Sequence, residues 1–354
     1  MQYRHIKYLL TALVLIISSF GSKAQLAPGK QLNEARFITI NGIEQWVTIK
    51  GDISKPAILF VHGGPGSPLS LYADAIYKGW EKDFVLVQWD QRGAGKTFGR
   101  AAPTELSPDY LASHPLSVDQ ITNDGVSLVE YLLNYLGKPK VTLFGSSWGS
   151  VIAVEMAVKR PDLFTAYIGH SQVVDPAANF TKAYQKVAEL SKAANDQQSL
   201  DVLSAIGAPP YEKAQNAGKL FRIIKKYERL ASTPAPEAWW KIAAEYDNKE
   251  DNQHREDGDD YSFLNFVGDT KMGVKPMAAT IDLAKDHYVF KIPVYLIQGE
   301  VDILTSLPIS KAYFDKIQAP DKQFIVIKNA AHGFNELVVK EQLRLFKMVN
   351  QQKR

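Results

Sequence analysis

The sequence predicts an α/β protein whose mostly parallel central sheet is covered by helices on both faces and carries an inserted helical cap. Short apolar runs, typical of strands buried on both sides, recur at residues 57–61, 84–89, 141–144, 163–168, 294–297 and 324–327. Helical stretches separate the early runs, as crossover connections between parallel strands do. From residue 174 to about 287 strand-like runs become scarce and segments rich in Ala, Lys, Gln and Glu dominate, which predicts the cap.

The chain is long enough for one large core with an inserted subdomain. It has 354 residues, of which 45% are hydrophobic and 22% charged, and this ordinary composition argues against disorder. We predict a signal peptide at residues 1–24, a core built from residues 25–173 and 289–354, and a helical cap at residues 174–288.

The first residues have the pattern of a secretory signal. Arg4 and Lys7 precede an apolar run at residues 8–20, and Ser22-Lys23-Ala24 offers small residues at the positions that a signal peptidase reads. The run is short for a membrane span, so we expect cleavage near Ala24 and export to the periplasm or the medium. An uncleaved N-terminal anchor is the alternative.

Charge and cysteine content limit the possible partners. Residues 1–24 carry Arg4, Lys7 and Lys23 and no acid, so their removal reduces 41 basic residues to 38, which balances the 38 acidic ones. No basic field then remains to attract nucleic acid or to hold the protein on an anionic membrane. The chain has no cysteine, which rules out disulfides and a thiol nucleophile.

The predicted sheet begins with a hairpin and continues into a glycine-rich loop. Asn41-Gly42 separates two β-like runs, which is a strong hairpin signal. The strand at residues 57–61 then leads into His62-Gly63-Gly64-Pro65-Gly66, where the backbone could approach a ligand closely. In an acyl-transfer enzyme the Gly64 amide would form one wall of an oxyanion hole. A tight turn without chemistry is the alternative.

The strand at residues 84–89 ends in Asp90-Gln91-Arg92-Gly93-Ala94-Gly95. Asp90 and Arg92 follow a strand end, where sites in open α/β sheets gather, but we favour a structural role in which they brace the loop. The spacing of a nucleotide phosphate loop is not met here. An amphipathic pattern at residues 117–136 predicts a helix that Gly137 ends.

The chain is organised around residues 140–150, KVTLFGSSWGS. A buried strand, the G-x-S-x-G pattern and a helix follow one another, which is the context of a strained nucleophile turn. Ser147 is therefore the candidate nucleophile, and the Trp148 amide is the expected second donor of the oxyanion hole. A chance Gly-Ser-rich turn is the alternative.

Within the predicted cap, the acidic run at residues 247–260 reads as a solvated surface loop, with binding of a positive substrate group as the minority alternative. Trp239 and Trp240 are expected to pack the cap, although an aromatic side chain facing the cleft would also make an apolar wall for a substrate.

The last two strands supply the expected partners of Ser147. Asp302 follows the strand at residues 294–297, where the acid of a Ser-Asp-His order belongs, and Glu300 is the weaker rival. His332 follows the strand at residues 324–327 and precedes the final helix, predicted at residues 335–349. It is the one histidine of seven that comes after both Ser147 and Asp302.

Together these motifs resemble the α/β-hydrolase superfamily, and within it the proline iminopeptidase (prolyl aminopeptidase) family of serine peptidases. HGGPG, DQRGxG and GxSWGS carry the resemblance, which spans roughly residues 35–350 and is weak in the cap. It implies that Ser147 attacks the acyl carbon, that His332 acts as general base and then acid, and that Asp302 orients the imidazole. Gly64 and Trp148 would bind the oxyanion, and neither a metal nor a cofactor is expected.

The cap departs from the family pattern where the substrate's amine should bind. Family members hold that amine with cap glutamates, one of them in a W-x-x-W-E-like segment. Residues 238–243 contain Trp239 and Trp240 without the acid, and Glu245 is a nearby candidate. We therefore expect Glu245, Trp239 and Trp240 to contact the substrate.

Three functions remain open at this stage. The first is an exported aminopeptidase that releases an N-terminal proline, or another small residue, from short peptides. The second is an ester or lactone hydrolase that uses the same triad, and the third is a hydrolase-fold protein that binds a small ligand without turnover. An epoxide hydrolase would need an aspartate where Ser147 stands. The expected partner is a small molecule or short peptide, and the oligomeric state stays open.

Overall fold

The structure is a computed structural model that describes residues 29–351. The predicted signal peptide lies outside the described residues, so cleavage and export stay predictions. A single eight-stranded sheet organises the described chain, in the order β1-β2-β4-β3-β5-β6-β7-β8. Among the described helices, none combines the length and apolar character that crossing a bilayer requires.

The sheet opens with the expected hairpin, and its strands from β3 onward pair parallel with one another. Strands β1 (Gln31–Ile40) and β2 (Ile43–Asp52) pair antiparallel, and Asn41 and Gly42 between them have φ values of 46° and 84°. β2 also pairs antiparallel with β4. The remaining pairs are parallel and are formed by β3 (Ala57–Val61), β4 (Val85–Trp89), β5 (Val141–Ser146), β6 (Phe164–His170), β7 (Val294–Gly299) and β8 (Lys322–Ile327).

Helices cover both faces of the sheet. The first part of the chain supplies α1 (Ala73–Ile76), α2 (Gly95–Gly99), α3 (Pro108–Ser113), α4 (Val118–Leu136) and α5 (Trp148–Lys159), and the last part supplies α11 (Leu307–Lys316) and α12 (Glu336–Gln351). The α4 helix begins at Ser117, whose side chain accepts the Gln120 amide, and ends at Gly137 with φ 64°. Both termini match the capping signals in the sequence.

Two apolar layers follow from the alternation of side chains along each strand. Leu59 and Val61 of β3 face one layer, together with α4 and α5. Ile58 and Phe60 face the other, together with Phe346 of α12. Because the central strands are buried on both faces, they read as continuous apolar runs in the sequence.

The segment between β6 and β7 is helical and has its own apolar core. It contains α6 (Pro176–Ala193), α7 (Gln197–Ile206), α8 (Ala214–Ala231), α9 (Lys249–Val267) and α10 (Leu283–Asp286). Val187 of α6, Leu203 of α7 and Leu220 of α8 pack together in this core. We call residues 174–288 the cap.

Two expectations about the cap were wrong. The acidic run is not a surface loop, because it forms most of α9, which begins after Asn248 and packs against α2. Trp239 and Trp240 do not pack the cap either. They lie in a short 3-10 turn, where Trp239 packs on the layer that contains Phe346 and Trp240 meets Tyr72 edge to face at 5.5 Å.

Candidate active site

Ser147 occupies the sharp turn between β5 and α5. Its backbone has φ 53° and ψ −124°, a strained conformation for a residue with a side chain. The flanking glycines permit the turn. A Cβ at Gly149 would lie 2.1 Å from the Val61 carbonyl oxygen, and one at Gly145 would lie 2.5 Å from the Gly149 carbonyl oxygen. Strand and helix therefore approach more closely than any larger residue would allow.

The structure brings together three side chains that are far apart in sequence. Ser147 Oγ lies 2.8 Å from His332 Nε2, and His332 Nδ1 lies 3.1 Å and 3.2 Å from the two carboxylate oxygens of Asp302. Asp302 follows β7 and His332 follows β8, so the ends of neighbouring parallel strands place both at one edge of the sheet. Glu300, the rival acid, lies instead near the Asn329 amide, at 3.3 Å.

Local hydrogen bonds orient this row of groups. The Asp302 carboxylate accepts the Thr305 amide at 2.7 Å, the Thr305 hydroxyl at 2.6 Å and the Gln298 side-chain amide at 2.9 Å. With its other lone pairs engaged, the carboxylate accepts a hydrogen bond from the Nδ1–H of His332. Nε2 then carries the lone pair that can accept the Ser147 hydroxyl proton.

Charge pairing outweighs burial in setting the ionisation of this pair. Burial alone would lower the pKa of His332, but the charge of Asp302 and its hydrogen bond raise it above its ordinary value. Burial alone would raise the pKa of Asp302, but the imidazole and Thr305 lower it. The site therefore favours an ionised carboxylate beside an imidazole that readily accepts a proton.

The His62–Gly66 loop is held against the nucleophile turn by buried hydrogen bonds. Nδ1 of His62 lies 2.8 Å from the Gly63 carbonyl, and Nε2 accepts the Gln91 amide at 3.1 Å. Gln91 in turn donates to the His62 carbonyl at 2.8 Å and accepts the Trp148 indole N–H at 3.1 Å. Burial lowers the pKa of His62 to about 4, which keeps the ring neutral.

These contacts set two backbone amides around Ser147. Gly64, with φ 111°, and Trp148, the first residue of α5, line the same small cavity as Ser147. The first amides of a helix have no partner within the helix, so the Trp148 N–H can bind an oxyanion. Both residues lie where donors of an oxyanion hole would be needed, and their role as donors stays a prediction.

Aromatic side chains of the cap cover Ser147. The cavity around the hydroxyl has a volume of about 30 Å3, and Phe180, Phe221 and Phe266 form part of its wall. The Phe180 ring lies 5.4 Å from Phe221 and 6.2 Å from Phe266, between centroids. Phe266 meets the Trp148 indole edge to face at 5.4 Å. The wall of the site is thus largely apolar, while Ser147 and His332 stay half-buried.

A buried carboxylate that our sequence reading missed lies beside the triad. Glu228 of α8 is 7% exposed, and its Oε1 accepts the amides of Ile303 and Leu304 at 2.7 Å and 3.2 Å. Burial and the charge of Asp302 raise the pKa of Glu228 to about 7. The signal was present, since Ile224, Tyr227 and Glu228 have the spacing of W-x-x-W-E with other large residues in place of tryptophan.

The three residues expected to contact substrate lie elsewhere. Glu245 lines a groove with Lys50 and Asp74, next to β2 and α1 rather than beside Ser147. Trp239 and Trp240 pack in the 3-10 turn described above, away from the cavity that contains Ser147. The cap carboxylate that lies beside the triad is Glu228 of α8, and α8 precedes that turn in the chain.

Asp90 and Arg92 brace their loop, although not through each other. Asp90 accepts the Ser70 hydroxyl at 2.6 Å and the Lys96 amide at 3.1 Å, and burial raises its pKa to about 7. Arg92 pairs with buried Asp124 at 2.8 Å.

Within residues 29–351 no three acidic or histidine side chains gather closely enough to hold a metal ion.

Comparison with known proteins agrees with this architecture. A Bacillus subtilis protein named Probable aminopeptidase YbaC is 29% identical over 296 residues, which cover 83% of this chain and 89% of the relative. A proline iminopeptidase of Clostridioides difficile is 24% identical over 194 residues, which cover 54% of this chain and 60% of the relative.

A solved structure of Mycobacterium smegmatis proline iminopeptidase aligns with a TM-score of 0.60 and 16% identity, covering 90% of this chain and 97% of that one, which supports the fold alone. The family described as alpha/beta hydrolase fold matches residues 56–337. That match begins at β3 and ends in α12, so it takes in both halves of the core as well as the cap. The chain accordingly belongs to the α/β-hydrolase fold family, as a hydrolase that resembles the proline iminopeptidases.

Proposed function

We propose that the protein is a serine aminopeptidase that releases the N-terminal residue of short peptides through an acyl-enzyme. The observation that carries the chemistry is the continuous row from the Asp302 carboxylate through His332 to the Ser147 hydroxyl, with a 2.8 Å contact at the nucleophile. A hydroxyl is a weak nucleophile on its own, and an adjacent oriented base activates it.

The residues take the following roles. Ser147 Oγ attacks the acyl carbon while Nε2 of His332 takes its proton, and the new oxyanion accepts the Gly64 and Trp148 amides. His332 then gives the proton to the leaving amine, and the acyl group stays on Ser147. Water, deprotonated by the same imidazole, attacks the ester and restores the serine. Asp302 stays ionised and stabilises the imidazolium throughout.

Glu228 supports cleavage at the N-terminus rather than within a peptide. It is a cap carboxylate close enough to His332 for their charges to affect each other's pKa. A free N-terminal ammonium bound beside it would favour its ionised form, and a charge-assisted hydrogen bond would fix the scissile carbonyl at Ser147. Proline is the N-terminal residue that the family resemblance implies, and export through residues 1–24 belongs to the same proposal.

An ester or lactone hydrolase is the second candidate. The apolar wall around Ser147, with Val173, Pro176 and Leu304 beside the three phenylalanines, suits an uncharged acyl group. The two candidates differ in whether a free amine on the substrate is recognised.

The deciding experiment measures kcat and kcat/KM for the wild type, Ser147→Ala and Glu228→Gln. The substrates are prolyl and alanyl arylamides, N-blocked prolyl arylamide and simple aryl esters. We expect Ser147→Ala to lower kcat on every substrate by about 10^4-fold or more. Glu228→Gln should lower kcat/KM for the free-amine arylamides by roughly 10- to 100-fold, because a hydrogen bond to a charged group is worth about 1.5–3 kcal/mol. It should leave ester hydrolysis within a few-fold of the wild type.

Glutamine keeps an acceptor oxygen for the Ile303 and Leu304 amides, so the loss can be assigned to charge. Glu245→Gln, at the exposed carboxylate in the distant groove, is the matched control and should behave as the wild type. Rapid hydrolysis of the esters without hydrolysis of any arylamide would contradict the aminopeptidase assignment. Equal rates on free and N-blocked prolyl arylamide would remove the role of Glu228 in binding an amine.

A further inference from the structure

A second apolar cavity lies in the cap, next to the cavity that contains Ser147. It has a volume of about 180 Å3 and is bounded by α6, by the start of α8 and by the end of α9. We call it the cap cavity, and its lining includes Ala177, Phe180, Pro210, Tyr211, Ala217 and Val267. Nothing in the proposed chemistry uses it.

Phe180 forms part of the wall of both cavities. Its ring is half-buried and lies among Phe221 and Phe266, the second of which packs on Trp148 directly after the nucleophile. The neighbours Phe266 and Val267 line the Ser147 cavity and the cap cavity respectively. One aromatic side chain therefore stands between the reacting hydroxyl and the larger space.

The two volumes decide what each space can hold. The cavity around Ser147, at about 30 Å3, can hold the reacting carbonyl against its apolar wall but is too small for a large substituent on the acyl group. The cap cavity, at about 180 Å3, exceeds the ~150 Å3 apolar cavity that is known to bind benzene. Its mostly apolar lining excludes a charged group, because burying an unpaired charge is costly.

The proposed function already assigns binding positions to the carbonyl oxygen and the amine of the substrate. On the proposed function, on which this inference rests, the carbonyl oxygen faces Gly64 and Trp148 and the amine faces Glu228. The side chain of the N-terminal residue is the remaining large substituent of the α carbon. We propose that the cap cavity is the subsite for this side chain, that Phe180 turns aside to admit it, and that the enzyme accepts large apolar N-terminal residues such as phenylalanine and leucine as well as proline.

The test measures kcat/KM for phenylalanyl, leucyl, prolyl and alanyl arylamides with variants that fill the cavity from opposite walls. Ala177→Leu fills it from α6 and Ala217→Leu from α8. Ala193→Leu, an exposed position at the far end of α6, makes the same change away from the cavity. Thermal melting confirms that each variant is folded, and Ala177 is exposed enough to accept a larger side chain.

We expect the wild type to prefer phenylalanyl over alanyl arylamide by at least about tenfold, since each methylene in an apolar pocket changes kcat/KM by roughly tenfold or more. Both filling variants should remove most of that preference by slowing the phenylalanyl substrate, and Ala193→Leu should keep it. A wild type that favours alanyl arylamide, or a preference unchanged in both filling variants, overturns the proposal.

A parallel series of aryl esters separates this inference from the proposed function. If no arylamide is cleaved, the aminopeptidase assignment fails, and the ratio of phenylpropionyl to acetyl ester hydrolysis then tests the cap cavity by itself. A ratio that falls in Ala177→Leu and Ala217→Leu but not in Ala193→Leu supports an acyl-side subsite, and an unchanged ratio rejects it.

Discussion

Ser147 combines a reactive side chain with an unfavourable backbone. A residue with a Cβ at φ 53° and ψ −124° costs about 1–3 kcal/mol relative to a relaxed conformation. The surrounding packing enforces it, because β5 and α5 leave no room for another path of the chain. The sharp turn lifts the hydroxyl out of the sheet toward His332. The same turn therefore both strains the backbone of Ser147 and places its hydroxyl beside the base.

The strain predicts an inverted response to glycine. Ser147→Gly and Ser147→Ala both remove the hydroxyl, so they differ only in the Cβ. At an ordinary position glycine is less stable than alanine, but here we expect Ser147→Gly to unfold with a free energy about 1 kcal/mol higher than Ser147→Ala. Urea unfolding of the two variants measures the difference. Alanine proving the more stable of the two would mean that this turn is not strained.

Sequence order identified the three residues of the triad but not Glu228, the carboxylate that we propose binds the substrate amine. Ser147, Asp302 and His332 each follow a strand whose apolar run is visible in the sequence, so their meeting at one sheet edge could be predicted. Glu228 stands in a helix with charged neighbours on both sides, and only the packing of α8 on the loop after β7 shows that it is buried. Glu245 was chosen for its nearness to a tryptophan pair, which is not evidence of proximity in space.

The α9 helix shows why an acidic run can be misread. Its first turn contains Glu250 and Asp251, which suit the positive end of a helix dipole, and the Asn248 side chain accepts the Asp251 amide at 2.9 Å. Asp251 also pairs with Lys96 of α2 at 2.5 Å. The charges therefore stabilise a docked helix, although the same composition is common in solvated loops. Strands and capped helices of the core were predictable because their signals are local, whereas docking of α9 depends on its partner.

Two glycines in cap helices predict opposite effects of one substitution. A Cβ at Gly218, inside α8, meets nothing within 4 Å, so Gly218→Ala should raise the unfolding free energy by about 0.5–1 kcal/mol through helix propensity. At Gly258 in α9 a Cβ would lie 3.1 Å from the Gly93 carbonyl oxygen and 3.2 Å from Phe98 Cβ. Gly258→Ala should therefore gain nothing or lose stability. Denaturant unfolding compares the pair, and equal stabilisation by both changes would show that α9 is not docked this closely.

At the scale of the whole molecule, four buried ionisable groups stay neutral near pH 6. Burial raises the pKa of Asp90 and of Glu228 to about 7, and it lowers the pKa of His62 to about 4 and of His170 to about 3. For the two acids, the unfolded chain ionises first, so the unfolding free energy falls as pH rises toward 7. For the two histidines, the unfolded chain binds protons that the folded protein does not, so the unfolding free energy rises with pH up to about 6.5.

These opposite slopes predict that the combined contribution of the four groups to the unfolding free energy is nearly independent of pH between about 4.5 and 6.5. Removing one of the two acids should then make the unfolding free energy rise with pH. Glu228→Gln cannot ionise, so two histidines then oppose only Asp90, and the unfolding free energy should rise by about 2–3 kcal/mol more than in the wild type over that range. Urea unfolding at pH 4.5, 5.5 and 6.5 measures it, with Glu245→Gln as the exposed control that should follow the wild type. If the unfolding free energy of Glu228→Gln depended on pH just as that of the wild type does, Glu228 would already be ionised in the folded protein. Its carboxylate would then meet a substrate amine without first losing a proton.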